Sequence, residues 1–400
     1  MVFSLVEEEP VGRARCACCS INVYLYSLDT PSFKLQRNKS RESPFRDFIQ
    51  ARHGDTGRVG RYSYAMQIVI LDDYQDAVRK LACFATLSGH EVKVFNNNVK
   101  GAGQLAVRLR DAQVVVLNRG RTALSRAVLE KCPKLKLVVQ TGHVGAHLDV
   151  DACTKLGIAV IAGKGDAAPT AEFTWALIMS AARRIPQYVA NLKQGAWQQP
   201  GLKSQSMPVN FGLGQRLAGK TLGIWGYGRI GRIVAGYGQA FGMRVLVWGS
   251  EASRAAAAES GLNVAATREA LFVESDILSL HLRLSEATRG IVTLSELSHM
   301  KPQAILVNTA RAELIVPDAL VSALNRGRPG MAAVDVFEAE PIMRGNPLLR
   351  LENAICTPHL GYVELEHYEH LFGQAFEAIA RFAAGDTAHL VNPGATEQLR

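Results

Sequence analysis

Long apolar runs are missing from this chain of 400 residues. The longest are of strand length and are interrupted by Gly, Lys or Asp, so none approaches the roughly 20 residues that a membrane-spanning helix requires. No membrane partner is therefore expected. Runs of Lys and Arg of the kind that grip nucleic acid are also absent. The formal charge is +9, and the first 65 residues hold 10 basic against 7 acidic side chains, which leaves +6 for the remainder. A mild, dispersed excess suits small anionic ligands and gives no reason to expect nucleic acid. Cysteine is sparse and scattered, at Cys16, Cys18, Cys19, Cys83, Cys132, Cys153 and Cys356. The odd count, and the apolar or helical surroundings of the last four, suit reduced thiols in a cytoplasmic protein. No second ligand pair follows Cys16, Cys18 and Cys19 at a zinc-type spacing, so no metal is expected.

What is there is ordinary for a folded enzyme: 48% hydrophobic and 20% charged residues, in a chain long enough for two domains. Residues 1–65 mix acidic, basic, Ser and Pro residues without sustained periodicity, apart from INVYLYSL, and are expected to form a disordered extension. Their Arg and Ser content resembles a transit peptide, but Glu7, Glu8 and Glu9 argue against one. From Met66 onward apolar strands alternate with helical segments. QIVIL, HEVKVF, AQVVVLN, LKLVVQ and IAVIA read as strands, with helices over residues 76–87, 102–110 and 125–132 between them. A long helix is expected from Thr170 to Trp197, buried between domains or against a second copy. After a Gly- and Pro-containing loop the alternation resumes and runs to a C-terminal helix over residues 364–385, whose apolar spacing suits packing back on the first domain. Such alternation predicts an α/β fold of parallel sheets covered on both faces.

The stretch LGIWGYGRIG, Leu222 to Gly231, is a buried strand breaking into glycines where a helix begins. Gly226 permits the tight turn, Gly228 lets the backbone approach a pyrophosphate, and Gly231 lets the helix pack against the strand. The helix then offers free N–H groups and its positive dipole end to phosphates. Flanking strands on either side make this a dinucleotide fingerprint.

Downstream, apolar strands end in NTARAEL with Arg311, DVFEAEP with Glu340 and TPHLGY with His359, at the edge where ligands bind in open α/β sheets. The set suits redox work on a hydroxy acid. An arginine grips a carboxylate with two prongs and polarises the adjacent carbonyl oxygen. A histidine takes or returns the hydroxyl proton, and a carboxylate beside it stabilises the charged ring and fixes its orientation.

These pieces, with QTGHVGAHLD, TAEFTWALIMSAARR, LHLRLSEATRG and MKPQAILVNTARAEL, resemble the D-isomer-specific 2-hydroxyacid dehydrogenases over most of the chain from Met66. The resemblance implies two Rossmann-like, doubly wound parallel-sheet domains. One is a discontinuous, flavodoxin-like substrate domain of residues 66–168 plus 366–395, and the other an NAD(P)-binding domain of residues 169–365. It implies hydride transfer between NAD(P)H and a small anionic 2-oxo or 2-hydroxy acid in a homodimer. Arg311 corresponds to the substrate anchor, Glu340 to the partner of the histidine and His359 to the acid/base. Tyr227, Arg229 and Ile230, beside the glycines, fall at the pyrophosphate. Thr309, Ala310 and Asp335 fall at the nicotinamide, and the loop of Gly142, His143, Val144 and Gly145 at the substrate carboxylate. Arg119 and Arg121 add positive field there, or else are exposed loop residues.

Four departures bear on cofactor and substrate. Gly249 stands where an acid usually grips the adenosine ribose, with Ser250 and Arg254 next to it, so the cofactor is NAD or NADP, with these residues favouring NADP; Glu251 offers an alternative ribose contact. Ala312 replaces a usual glycine, and Arg283 a usual proline. His143 and His147 make the substrate loop more polar. Two other readings stay open: a D-3-phosphoglycerate dehydrogenase, with the chain after the C-terminal helix too short for a regulatory domain, and a dinucleotide-sensing corepressor-type binding protein.

Overall fold

The computed structural model describes residues 65–201, 207 and 209–397. The expected extension before Ala65 and the cluster of Cys16, Cys18 and Cys19 lie outside the described residues.

The first sheet holds β1 (Gln67–Ile70), β2 (Glu91–Val94), β3 (Val114–Leu117), β4 (Leu137–Gln140) and β5 (Ala159–Ala162). All are parallel, in the order β2-β1-β3-β4-β5. The second sheet holds β6 (Thr221–Trp225), β7 (Arg244–Trp248), β8 (Asn263–Val264), β9 (Ile277–Leu280), β10 (Ile305–Asn308), β11 (Met331–Val334) and β12 (Ala354–Cys356). Its strands are also all parallel, in the order β12-β11-β10-β9-β6-β7-β8. Strands such as VVVL and ILVN are buried along their whole length. Successive side chains of a strand point to opposite faces. Accordingly Ile68 and Ile70 enter one apolar cluster and Val69 and Leu71 another, while Ile224 and Trp225 divide in the same way in the second sheet. Both faces of both sheets are therefore covered, as the uninterrupted apolar strands require.

The helices are α1 (Ala102–Leu109), α2 (Arg126–Leu129), α3 (Val150–Lys155), α4 (Ala168–Arg183), α5 (Ile185–Leu192), α6 (Arg229–Ala240), α7 (Glu251–Glu259), α8 (Arg268–Glu274), α9 (Leu294–His299), α10 (Ala319–Asn325) and α11 (Leu365–Ala383). Two departures from the sequence reading have identifiable causes. The helix expected over 76–87 is a pair of short 3-10 turns, Val78–Lys80 and Ala82–Leu87, parted by extended backbone at Leu81. The N–H groups of Ala82 and Cys83 donate to the Glu369 carboxylate on α11 instead of to the preceding turn. The helix expected from Thr170 to Trp197 ends early, because Arg184 takes a left-handed φ of 58° and parts α4 from α5. Pro186 opens α5, where its missing N–H is tolerated. The Arg184 guanidinium is buried over the Phe211 ring, with Nε donating to Phe211 O at 3.1 Å.

Ala171, Leu177, Ile178, Ala181 and Ala182 of α4 pack into one face of the second sheet. Helix α11 covers the first sheet with Leu371, Phe372, Phe376 and Ile379, against Ile68, Ile70, Val114 and Val139. The chain thus passes between the two α/β domains twice, once after β5 and once between β12 and α11. No helix among the described residues is long and apolar enough to cross a membrane.

Phe372 is fully buried in this packing. Replacing it by Ala removes a large ring from a filled site, and Phe372→Ala should lose about 3–5 kcal/mol of stability. Urea unfolding of the two proteins side by side measures this, and a loss below about 1 kcal/mol would contradict the packing described.

Candidate active site

The glycine turn carries out three different tasks. Gly226 adopts a φ of +103°, and a Cβ on it would lie 2.8 Å from the carbonyl oxygen of His281. A Cβ on Gly231 would lie 2.2 Å from Gly226 O, so only glycine lets α6 sit this close to the end of β6. A Cβ on Gly228 would meet nothing within 4 Å, which leaves its backbone open to a ligand arriving from outside. Helix α6 begins at Arg229 with no side chain capping it, so its first N–H groups face that open side as an anion site. Arg229 Nη1 donates to Gly165 O at 3.4 Å, in the first crossover between the domains. Ile230 packs against the core, and Tyr227 is buried beneath the Arg232 guanidinium.

At the end of β7, Ser250 caps α7 by accepting from Ser253 N at 3.3 Å. The Arg254 guanidinium lies 4.5 Å over the Trp248 ring, and its Nη1 donates to Gly249 O at 3.2 Å. A Cβ on Gly249 would stand 2.9 Å from Ser253 Cβ, so the position resists enlargement.

Arg311, Glu340 and His359 follow β10, β11 and β12, which lie side by side. Asn308 shapes the turn before Arg311, accepting from Ala310 N at 3.0 Å and donating to Arg311 O at 2.8 Å. His359 Nδ1 meets Glu340 Oε2 at 2.7 Å, with both side chains about three-quarters buried, at 24% and 27% exposure. A carboxylate can only accept here, so Nδ1 carries the hydrogen and Nε2 is left to exchange protons. Burial alone would push the Glu340 carboxyl up. The hydrogen bond and charge of His359, joined by the Phe337 N–H and Arg121, outweigh burial and hold it below its ordinary value. Among the described residues, no hydrogen bond joins Arg311 to this pair.

Two of the residues expected at the nicotinamide are occupied internally. The Thr309 hydroxyl is buried against Thr174 Oγ1 of α4 at 2.7 Å. Asp335, 1% exposed, accepts from Thr357 Oγ1 at 2.7 Å, Leu360 N at 2.8 Å and Gly361 N at 2.9 Å. Its side chain therefore shapes the loop that carries His359, and burial pushes its carboxyl up despite those donors.

Across from this edge lies the loop after β4. Gly142 has a φ of +104°, and a Cβ there would touch the Arg119 guanidinium at 2.8 Å. Val144 packs into the first domain, whereas His143 is exposed. His147 Nε2 bonds Gln140 Oε1 at 2.9 Å, and burial followed by the charge of Arg311 pushes its pKa down. Arg311 thus makes itself felt in the first domain. Arg119 and Arg121 are partly buried in the same region, not solvated on an exposed loop. Burial, with the like charges of Arg311 and Arg121, pushes Arg119 down. Sequence reasoning assigned no role to Tyr362, although it stands three residues after His359 inside TPHLGY; its ring meets the imidazole edge-on at 5.7 Å.

Comparison with known proteins places the chain among relatives of one kind. The model of the D-isomer specific 2-hydroxyacid dehydrogenase NAD-binding domain matches residues 175–361. A glyoxylate reductase of Aeropyrum pernix is 40% identical over 66% of this chain and 78% of that protein. Among solved structures, an oxidoreductase from Ralstonia solanacearum is 57% identical with a TM-score of 0.82, covering 84% of this chain and 100% of that one. A phosphoglycerate oxidoreductase from Vibrio cholerae is 48% identical with a TM-score of 0.76, covering 80% and 100%.

Because the folded protein holds the Glu340 carboxyl below its ordinary value, its contribution to stability is complete above the usual carboxylate range, about pH 4–5, and is lost as pH falls through the lowered value. Glu340→Gln should therefore be less stable than wild type at pH 7, with the gap narrowing on acidification. Urea midpoints across pH would show this, and a gap that widened towards low pH would refute it.

Proposed function

This chain belongs to the D-isomer-specific 2-hydroxyacid dehydrogenases, nicotinamide-dependent oxidoreductases of the CH–OH group, and on that premise we propose how its own residues share the work. The observation that carries the reading is the 2.7 Å contact between His359 Nδ1 and Glu340, at the strand edge that also carries Arg311. Arg311 anchors the carboxylate of a small 2-oxo acid and polarises its carbonyl oxygen. His359 Nε2 gives a proton to that oxygen in reduction and takes it back in oxidation, while Glu340 holds the ring and stabilises its charged form. The glycine cradle at Gly226, Gly228 and Gly231 fits a pyrophosphate, with Arg229 and the first turn of α6 as donors. The dinucleotide bound there supplies or accepts the hydride. Residues 66–168 with 366–395 serve as the substrate half, presenting the Gly142–Gly145 loop, and residues 169–365 as the nucleotide half.

Two finer choices follow. With no acid at Gly249, and with Ser250, Ser253 and Arg254 around it, the adenosine end suits a 2′-phosphate, so we favour NADP. Arg119 has no side-chain acceptor among the described residues and stands against Gly142, which favours substrates with a second anionic group and keeps 3-phosphoglycerate as the second reading. Exposed apolar side chains at Val189 and Leu192 of α5 and at Trp197, Val209 and Leu213 support the reading of a homodimer.

Assays with glyoxylate, hydroxypyruvate and 3-phosphoglycerate, each with both cofactors, test the reading. His359→Ala should lower turnover by about two to four orders of magnitude with dinucleotide affinity nearly unchanged. Retained turnover would remove His359 from its role, and wild-type protein that binds dinucleotide yet turns over none of these acids would favour a binding protein. Arg254→Ala should lower kcat/KM with NADPH about tenfold relative to NADH; an unchanged ratio would count against the phosphate site.

A further inference from the structure

Arg121 and Arg119 lie two residues apart in the loop after β3, and both guanidinium groups lie 5.2 Å from the centre of the Tyr362 ring, but of the two only Arg121 makes side-chain hydrogen bonds among the described residues. The Arg121 guanidinium lies over the rings of Tyr74 and Tyr362, at 5.1 and 5.2 Å. Its Nε donates to Tyr362 Oη, and its Nη2 donates to the main-chain carbonyl of His359 at 3.3 Å. Tyr362 in turn stacks on Tyr368 at 6.2 Å and 10°, so this aromatic surround is itself fixed. With Nε and Nη2 both engaged, the side-on edge of the Arg121 guanidinium is taken up within the protein.

What the guanidinium holds is unusual. His359 has a φ of +55°, a conformation that costs free energy for a residue with a side chain and persists only where its surroundings enforce it. The enforcement from its own domain is visible: His359 N donates to Thr357 O at 2.9 Å, Leu360 N and Gly361 N donate to Asp335, and the ring is held by Glu340. The remaining polar group of the residue, its carbonyl, is held from the other domain, by a side chain that follows β3.

We propose that Arg121 is a positioning residue for His359, which by holding the carbonyl of this left-handed residue from the opposite domain sets the orientation of the imidazole and ties it to the approach of the two domains. This rests on the reading of His359 as acid/base. A displacement of about 1 Å at such a group costs about a hundredfold in rate, so a contact to its backbone has leverage on turnover without touching substrate. Lysine, a point charge on a flexible stem, cannot cover both acceptors and both rings at once.

The test compares Arg121→Gln, Arg121→Lys, His359→Ala and the double variant of Arg121→Gln with His359→Ala, using whichever acid of the panel wild type reduces fastest. The expected result is a fall in kcat of about tenfold to a hundredfold in Arg121→Gln, with KM and dinucleotide affinity changed less. Added ethylguanidinium should restore part of it, and Arg121→Lys should lie between. In the double variant kcat should be no lower than in His359→Ala, because two changes acting through one group are not additive. A raised KM with kcat kept would make Arg121 a substrate contact and overturn the proposal, as would losses that multiply in the double variant. A second readout separates this from the acid/base reading. In protein carrying 15N-histidine, the Nδ1–H signal of His359, identified by its loss in His359→Ala, should broaden in Arg121→Gln. If His359→Ala alone kept its turnover, the acid/base role would fall while this signal still judged positioning; an unchanged signal in Arg121→Gln would overturn the positioning role even where His359 proved essential.

Discussion

The close approach of α6 to the end of β6 governs where everything else in the second domain lies. A Cβ at Gly231 would stand 2.2 Å from Gly226 O, well inside any allowed contact, so the helix can start so near the strand only with glycine at that position. Once the helix is there, its unpaired N–H groups and dipole end face the crevice beside the point at which the sheet changes direction. In this sheet that point lies between β6 and β9, with β10, β11 and β12 continuing on one side and β7 and β8 on the other. The glycine turn and the ends of β10, β11 and β12 are thereby laid out along one edge. Gly249 follows β7, and Arg311, Glu340 and His359 follow β10 through β12.

Arg311 and His359 are held by a hierarchy of contacts. Glu340 takes the imidazole directly, the buried Asp335 carboxylate gathers the amides of Leu360 and Gly361, and Asn308 folds the turn before Arg311. Asp335 is the instructive member. It occurs in the motif DVF, which resemblance places near the nicotinamide, yet its carboxylate is spent within the protein. A buried acid satisfied by a hydroxyl and two amides rigidifies a loop without offering a charge to a ligand. The same loop runs on into α11, so the backbone of His359 lies where the second domain returns to the first.

Much of the architecture was legible because it depends on neighbours in sequence. Apolar runs of strand length such as VVVL imply sheets buried on both faces, and the glycine spacing depends on backbone sterics that no distant residue alters. Arg311, Glu340 and His359 could be picked out because strand ends in such folds converge on one edge. The failures have a common cause. The helix expected over 76–87 gives way to 3-10 turns because Glu369, 287 residues from Ala82, captures its amides. The helix from Thr170 breaks at Arg184, which has a left-handed φ of 58° just before Pro186 and whose guanidinium is held at Phe211, 27 residues on.

What the sequence determined by itself was therefore the set of groups and the edge they share: parallel sheets, a glycine-rich turn, and an arginine, a carboxylate and a histidine at consecutive strand ends. Which of them touch, and which neighbours restrain them, was decided only by the tertiary structure. Arg121 and Tyr362 are 241 residues apart, and no local periodicity or spacing relates them. Their pairing arises because the loops after β3 and β12 meet, where the Arg121 guanidinium, taken partly out of water, finds acceptors in Tyr362 Oη and His359 O.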